Sequence, residues 1–410
     1  MEISQPDRTI IRELARRVAE VAALPVMARR RAMWVLHNSL QRVRPMVLVF
    51  PEGSWRELLP GDKCLRCEGA DARGIEWNLR ARLYHHEHLH DDSVIEAEWF
   101  VDAAIHATGW GLEPHWHETT DPTGARGFDP VLLDRRDLGK LRQPEHAYDK
   151  DATDRAAAEL EELFGDILTV KRRGVRHISF HLMSMLTCRR GLAETMMDMA
   201  DNPRFVHDAM AIFAEGERRR LDFLVDNNLL SLNNDSTYHS SGGNGYTADL
   251  PAAGFDPAHV RLADMWGSAE AQELAQVSPE MHEEFSLRYE RPLLAPFGLT
   301  GYGCCEDLTR KLDLAFTIGN LRRVSVSPFA DVDACAAKLG GRYIFSWKPH
   351  PSHLCGRFAP QAIAKYIQHT LDVTKGCVVE MILKDTHTCD HHPERFTQWT
   401  DIAQALAAEA

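Results

Sequence analysis

The last third of the chain repeats one pattern, in which a short apolar run is followed by a longer amphipathic segment. The apolar runs at 293–299, 323–326, 342–346 and 378–383 predict strands, and the segments at 307–318, 331–339, 360–375 and 393–408 predict helices. Proline opens helices at Pro360 and Pro393, and glycine follows helices at Gly319, Gly340 and Gly376, as expected at helix ends. Four βα units in a row predict a parallel sheet.

The rest of the chain carries similar signals less regularly. Apolar runs at 176–183 and 229–232 are strand-like, and residues 8–43 show helical spacing with a break at Pro25. A parallel sheet either closes as a barrel or stays open, and the glycine fingerprint of a dinucleotide-binding open sheet follows none of these runs. We therefore predict a TIM-like (β/α)8 barrel over 91–410, preceded by an N-terminal helical extension over 1–90.

Composition excludes several classes of protein. The 410 residues are 44% hydrophobic and 26% charged, and no apolar run approaches the roughly 20 residues that a membrane span needs. A net charge of -13 disfavours a nucleic-acid surface. The N-terminus shows no apolar signal region, so we expect a cytoplasmic protein. Nine cysteines, an odd number without secretory context, are expected to be free thiols or metal ligands.

Polar residues gather at the predicted carboxyl ends of the strands, where a barrel places its active site. Gly301 to Glu306 bring two adjacent cysteines and a carboxylate to a turn after one run, and Lys384 to Cys389 follow another. Thiolate and imidazole together suit zinc, whereas the simpler interpretation is that the cysteines are buried and inert. A small-molecule substrate in this region would meet strand-end residues that include His181, Asn234, Asp235, Lys348 and His350.

Three other features of the sequence favour ordinary roles. Cys64 and Cys67 have the spacing of a zinc motif but no second pair nearby, and the histidine-rich run at 85–92 is more typical of a solvated loop. The glycine-rich stretch at 236–255 lacks the pattern of a phosphate-binding loop. We interpret residues 235–255 as a mobile lid over the site.

Motifs in the second half resemble the uroporphyrinogen decarboxylase superfamily, which includes cobamide-dependent methyltransferases acting on coenzyme M, tetrahydrofolate and related acceptors. They are Asn202-Pro203-Arg204-Phe205-Val206, Ser278-Pro279-Glu280, Tyr302-Gly303-Cys304-Cys305 and the final βα units. The resemblance runs from residue 202 to the C-terminus. The arginine-rich run that grips porphyrin carboxylates in the decarboxylases is missing after Arg44-Pro45, which argues against porphyrin decarboxylation.

The resemblance implies a zinc site. Family methyltransferases have a His-x-Cys-Gly turn and a late cysteine, which map onto residues 302–305 and Cys389. Tyr302 stands where the family has histidine, so a further ligand must come from Cys305, Glu306 or His387. The implied metal ligands are therefore Cys304, Cys305, His387 and Cys389.

Three functional hypotheses follow. The first is a zinc-dependent methyltransferase that works with a corrinoid protein or a tetrahydrofolate or thiol acceptor, with Zn²⁺ as Lewis acid. Its catalytic residues would be Glu306, Lys348 and Asp235, and its substrate-binding residues Asn234, Tyr302, His181 and His350. The second is a metal-free decarboxylase or lyase acting on a small carboxylate. The third is a non-catalytic partner in a corrinoid system, and the resemblance also implies a homodimer.

Overall fold

The computed structural model describes residues 3–119, 124, 126–240 and 242–410. The strands are β1 (Met46–Val49), β2 (Glu98–Asp102), β3 (Ala104–Ala107), β4 (His115–Trp116), β5 (Phe128–Asp129), β6 (His146–Asp149), β7 (Thr169–Arg173), β8 (Ser179–Phe180), β9 (Tyr238–His239), β10 (Gly243–Asn244), β11 (Trp266–Ala269), β12 (Leu299–Tyr302), β13 (Leu321–Val326), β14 (Ile344–Trp347) and β15 (Val378–Leu383).

Helices surround these strands. They are α1 (Gln5–Ala22), α2 (Pro25–Asn38), α3 (Trp55–Leu58), α4 (Gly61–Cys64), α5 (Ala70–Tyr84), α6 (Lys150–Phe164), α7 (Leu182–Arg190), α8 (Leu192–Asp201), α9 (Pro203–Asp226), α10 (Pro279–His282), α11 (Arg288–Leu294), α12 (Leu312–Ala315), α13 (Val332–Leu339), α14 (Pro360–Val373) and α15 (Glu394–Glu409). No helix among the described residues is both long and apolar enough to cross a membrane.

The largest sheet is parallel and has seven strands in the order β1-β15-β14-β13-β12-β11-β8. This confirms the α/β class and the parallel sheet. The hydrogen-bonded order is open, with β1 and β8 as its two edges. Because all these strands are parallel, their carboxyl ends lie at the same side of the sheet.

The final βα units form as their patterns predict. Every residue of β15 is buried, as expected for a strand covered on both faces. In α14, Ile363, Ile367 and Leu371 recur four residues apart and form its buried stripe. In α15, Phe396 and Ala403 are also fully buried. These helices cover the sheet and hold its strand ends in place.

Two aspartates make hydrogen bonds with the free backbone edge of strand β1. The backbone N–H of Asp92 donates to Val47 O at 2.8 Å, and its carboxylate accepts from the Val47 N–H at 2.8 Å. Asp91 accepts from the N–H of Val49 at 2.9 Å. Both carboxylates are buried, so this part of the histidine-rich run is not the solvated loop that its composition predicts. It closes a sheet edge that would otherwise pair with other chains.

A second core joins the N-terminal helices to residues 98–173. Ile11, Leu14 and Val18 form the buried stripe of α1, and α1 packs on α5 and α6. Ion pairs from Arg8 to Glu162 (3.0 Å) and from Arg12 to Asp166 (2.6 Å) reinforce that contact. Strand β1, although it lies within the predicted extension, belongs to the main sheet.

Two predicted strand positions are wrong. The apolar run 293–299 contains the end of α11 and a turn, and the strand begins only at Leu299. The run 176–183 contains the short β8 and the start of α7. The run 293–299 is apolar without alternation, and periodicity alone does not distinguish a buried helix from a buried strand. In the run 176–183, apolar and polar residues alternate from Ile178 to Leu182 as in a strand, yet only Ser179 and Phe180 pair with β11. The predicted helix 307–318 is reduced to α12.

The predicted lid packs against the sheet over residues 242–247, and its mobility remains a prediction. Gly242 to Thr247 are all buried, and Ser241 lies outside the described residues. Trp266 Nε1 donates to Gly245 O at 3.0 Å, and the Asn38 side chain donates to Tyr246 O at 2.7 Å. A Cβ added to Gly243 would stand 2.3 Å from the Arg323 guanidinium carbon. Glycine is needed here because the segment packs against the sheet.

Candidate functional site

Two strand ends bring the adjacent thiols of the sequence to a lysine and an aspartate. Cys304 and Cys305 follow β12, and their sulfur atoms lie 3.5 Å apart. Lys384 and Asp385 follow β15; Lys384 Nζ lies 4.0 Å from Cys304 Sγ, and Cys305 Sγ lies 3.8 Å from Asp385 Oδ2. A thiol pair beside a cation is an arrangement that favours a thiolate.

The turn that carries the thiols is fixed from three directions. Gly303 has φ +92°, and a Cβ at this position would stand 2.6 Å from Leu308, so glycine is required. The Glu306 carboxylate accepts from the N–H of Cys304 at 2.7 Å and from the N–H of Ala271 at 3.2 Å. The side chain of Ser325 donates to Cys304 O at 2.8 Å. The two sulfurs are therefore held on a rigid support.

The two thiols differ in acidity. The hydrogen bond from Cys304 lowers the pKa of Cys305, and the same bond, together with burial, raises the pKa of Cys304. Burial disfavours the charged form of Lys384, but the acidic groups around it, first Tyr238 and Cys304, outweigh burial and raise its pKa. Lys384 is therefore a permanent cation beside the thiols, and Cys305 is the thiol that ionises first.

A group of carboxylates lies behind the thiols. Burial, followed by the charge of Glu270, raises the pKa of the fully buried Glu306 to about 7. Glu270 follows β11 and forms a short hydrogen bond with His181 Nδ1, at the end of β8. A carboxyl group that exchanges its proton near neutrality is suited to general acid or base work.

Lys348 enters the site from the end of β14. Its Nζ donates to the backbone oxygen of Ser346 at 2.9 Å and to the Ser346 hydroxyl at 2.8 Å. The side chain is only slightly exposed, and burial lowers its pKa to about 7. Lys348 is therefore partly neutral at neutral pH, in contrast to Lys384.

A buried ion pair supports Lys348 from below. Glu380, in β15, accepts from Arg323 Nε at 2.9 Å, from the Ser346 hydroxyl at 2.5 Å, and pairs with His37 Nε2 at 3.2 Å. Burial opposes ionisation of Glu380, but the charge of Arg323 and the other partners outweigh it and lower its pKa. This network fixes the middle of β13, β14 and β15.

The rim of the site is formed by residues after β1 and by Tyr238. Glu52 and Asp385 both have left-handed backbones, with φ of 45° and 58°, and the Glu52 carboxylate accepts a hydrogen bond from the Asp385 backbone. Non-glycine residues with such dihedrals cluster at functional sites. The Tyr238 ring packs edge-on against Phe50, with ring centroids 5.2 Å apart, and burial raises the pKa of Tyr238 to about 12.

The structure does not bring Cys389 to the thiol pair. Its thiol donates to Glu57 Oε2 at 3.0 Å, and its N–H and that of His391 donate to the same oxygen. Burial and the charge of Glu57 raise the pKa of Cys389 to about 12. His387 is exposed and packs against Gly53, 3.1 Å from the position of an added Cβ. Both residues are predicted metal ligands. In the structure Cys389 instead bonds to Glu57, and His387 lies against Gly53.

Four predicted catalytic or substrate-binding residues also have structural partners. Asp235 pairs with Arg176 at 2.6 Å, and the Asn234 amide donates to Leu250 O at 3.0 Å. Tyr302, the last residue of β12, is buried, and its hydroxyl bonds to Glu290 and His282. His350 lies in the turn after β14, and its Nδ1 accepts from the backbone N–H of Ser352. Of the predicted site residues, Cys304, Cys305, Glu306, Lys348 and His181 form the strand-end group.

Sequence reasoning missed Glu270 and left Lys384, Asp385 and Tyr238 without a role. Lys384 follows a correctly predicted strand directly, so its position carried a usable signal. Glu270 follows β11, and this strand does not appear as an apolar run because it contains Gly267 and Ser268.

The thiol pair fits two corners of a zinc site. Two thiolates on one tetrahedral zinc stand about 3.8 Å apart, since each bond is about 2.3 Å, and the observed sulfur separation is 3.5 Å. The four predicted ligands do not converge. Within the described residues, His115, His117 and Asp129 form the one group of three ligand atoms close enough for a metal ion, on an exposed hairpin. Asp385 offers a carboxylate oxygen 3.8 Å from Cys305 Sγ.

A cavity of about 390 Å³ lies beside this site, lined by Phe50 and Trp55 after β1 and by residues of α5, β2 and β7. Neither Cys305 nor Lys384 lines it. This cavity is therefore separate from the strand-end group of side chains. Phe50 lies between the cavity and the strand-end site, because it lines the cavity and packs on Tyr238 at the rim of the site.

Comparison with known proteins adds little to this description. No protein-family model matches the chain, and no curated protein matches it. Among solved structures, the chain is similar to a methyltransferase from Methanosarcina mazei, with 11% sequence identity and a TM-score of 0.47. The alignment covers 93% of this chain and 98% of that one. At this identity and score the similarity carries no argument about function.

Proposed function

We propose that the protein is a methyltransferase whose reaction takes place at the carboxyl ends of β12, β14 and β15. The observation that supports this proposal is the Cys304–Cys305 pair, with sulfurs 3.5 Å apart and a lysine ammonium 4.0 Å from one of them. Methyl transfer to a thiol requires the acceptor sulfur as an anion, and a cationic, partly buried site stabilises such an anion.

Cys304 and Cys305 would hold zinc, and Asp385, whose carboxylate lies 3.8 Å from Cys305 Sγ, would provide a further ligand. Bound zinc would supply Lewis acidity that lowers the pKa of an acceptor thiol. Cys389 is left out of this proposal because its thiol is hydrogen-bonded to Glu57. A corrinoid protein would serve as the methyl donor, and a tetrahydrofolate or a thiol would serve as the acceptor, as the sequence resemblance implies.

The protein's own residues supply charge and proton transfer. Lys384 would attract the acceptor anion, and Lys348, with a pKa of about 7, would take the proton that the acceptor loses. Glu306 would position the thiol turn through its bonds to the N–H groups of Cys304 and Ala271. Overall, the acceptor thiolate would form a bond to the methyl carbon of the methylcorrinoid substrate, and the electron pair of the broken carbon–cobalt bond would leave with the corrinoid.

The proposal includes a barrel in which irregular segments continue the open sheet at both edges. Asp92 pairs with β1 through its backbone, and Leu230 forms a parallel bridge with Val175, just before β8. Closure by such segments would keep the strand ends around one axis.

A metal-free lyase is the second candidate, and one observation favours it. Glu306, with a pKa of about 7, lies with Glu270 and His181 behind the thiols, and this acid–base group needs no metal. It would act on a small carboxylate held by Lys384.

Methyl transfer from free methylcobalamin to coenzyme M, followed anaerobically by the loss of methylcobalamin absorbance, tests the first proposal. We expect the wild type to demethylate methylcobalamin only when the thiol is present. Cys305→Ser should lose at least about 100-fold in rate, because it removes a zinc ligand and with it the activation of the acceptor thiol. The matched variant Cys389→Ser should keep most of the activity. Equal activity in all three proteins, or greater loss in Cys389→Ser, would overturn the proposed site.

A further inference from the structure

The cavity next to the strand-end site has its own set of chemical groups. One face of α5 lines it, since Trp77, Asn78, Ala81, Arg82 and His85 are spaced as a single helical stripe. Its volume of about 390 Å³ lies in the range of small-molecule sites.

Aromatic side chains form one wall of this cavity. Trp55 and Trp77 contact each other edge-to-face, with ring centroids 5.6 Å apart, and Phe50 and Phe100 complete the wall. The face of Phe100 is covered by the Arg173 and Arg176 guanidinium groups, at 4.7 Å and 4.4 Å from the ring centroid. Such a wall suits a flat, unsaturated ring.

The charges of the lining are paired, with one exception. Arg173 pairs with Asp102, Arg176 with Asp235, Glu98 with Lys171 and Glu96 with Arg31. Arg82 donates to the backbone oxygen of Glu98 at 2.7 Å and has no carboxylate partner within 4.0 Å among the described residues. Burial lowers the pKa of Arg82, the charge of Glu96 offsets only part of that effect, and the guanidinium carbon lies 5.2 Å from the centroid of the Trp99 ring.

Two buried polar atoms in the same lining make no hydrogen bond. They are Asn78 Oδ1 and His85 Nδ1, and neither bonds to any described part of the protein, although His85 Nδ1 lies 3.8 Å from a carboxylate oxygen of Asp91. Asn78 precedes Arg82 by one helical turn, so the two side chains are neighbours on the same face of α5. Buried polar atoms are normally satisfied, so Asn78 Oδ1 is open to a hydrogen-bond donor in the cavity.

From these observations we propose that the cavity binds a small aromatic carboxylate that also carries a hydrogen-bond donor. The carboxylate would pair with Arg82, the ring would pack on Trp55 and Trp77, and the donor would reach Asn78 Oδ1. The cavity is lined by neither thiol of the methyl-transfer site, so this binding site is independent of the proposed function.

The test is titration of the full-length protein with 4-hydroxybenzoate, followed by calorimetry and by the fluorescence of the lining tryptophans. We expect Arg82→Gln to weaken binding at least about tenfold. Arg172→Gln removes the same charge from a neighbouring strand, outside this cavity, and should leave the affinity unchanged. Cys305→Ser should also bind normally, which separates this site from the methyltransferase proposal.

Ligand variants keep the test decisive if Arg82→Gln does not fold. On the wild type, 4-hydroxybenzamide lacks the charge and hexanoate lacks the ring, and each should bind at least about tenfold more weakly than 4-hydroxybenzoate. Absence of 4-hydroxybenzoate binding at millimolar concentration would overturn the proposal. Equal affinity for the three compounds, or for Arg82→Gln and the wild type, would do the same.

Discussion

Lys348 shows how one buried residue serves the site at the expense of stability. Its ammonium group donates to the backbone oxygen and the hydroxyl of Ser346, in a position that is almost completely buried. Burial lowers its pKa to about 7, well below that of a lysine in the unfolded chain. The unfolded state therefore binds this proton more tightly than the folded state does.

This proton linkage gives a prediction with a definite sign. The cost of Lys348 to stability is fully present below about pH 7, falls as the pH rises, and vanishes above the ordinary lysine pKa of about 10.4. Lys348→Met should therefore stabilise the protein at pH 6 by on the order of 1–3 kcal/mol and much less at pH 9. Denaturant unfolding at both pH values measures this. A gain that is the same at both, or a net loss at pH 6, would contradict the buried-lysine account.

At the scale of single residues, the sequence identified the residue types at the strand ends more successfully than it identified their contacts in the fold. Cys304, Cys305 and Lys348 could be predicted because each follows an apolar run. Cys389 could not be assigned, because its partner Glu57 lies more than three hundred positions away and no local pattern links them. The same holds for Glu270, which faces His181 across a pairing between β8 and β11.

At the scale of elements, the βα units that were predicted well share a clear physical basis. In β15 and α14 the apolar period, the flanking glycine and the opening proline all agree. The failure at 293–299 and the burial of 242–247 come from tertiary packing, which local pattern does not report. The second segment is polar and glycine-rich, yet it is buried because it packs on Arg323 and Ile382.

Neighbouring arginines of β13 give a matched test of the buried network. Arg323 is fully buried with Glu380, whereas Arg322 pairs with Asp249 near the surface. Removal of one member of a buried ion pair leaves an unpaired charge, so Arg323→Met should cost about 3–5 kcal/mol. Arg322→Met should cost about 1 kcal/mol or less. Chemical denaturation of both variants measures the difference, and equal costs would show that the buried pair does not organise the sheet.

At the scale of the whole molecule, the parallel sheet places thiols, lysines and carboxylates from four separate strands at one side. The N-terminal helices and residues 98–173 build a second core that completes the aromatic cavity next to it. Two neighbouring sites with different chemistry follow from this arrangement. One has two thiols and two lysines, and the other has an unpaired arginine within an aromatic wall.

The sulfur coordination of bound zinc, measured by X-ray absorption on protein purified without chelator, tests the central claim most directly. The proposed site predicts one zinc with two sulfur neighbours at about 2.3 Å, supplied by Cys304 and Cys305. The same two-sulfur signal should persist in Cys389→Ser and disappear in Cys305→Ser. Three sulfur neighbours, loss of zinc from Cys389→Ser, or a wild-type protein that binds no zinc when the metal is supplied would contradict a two-thiolate site at the ends of the strands.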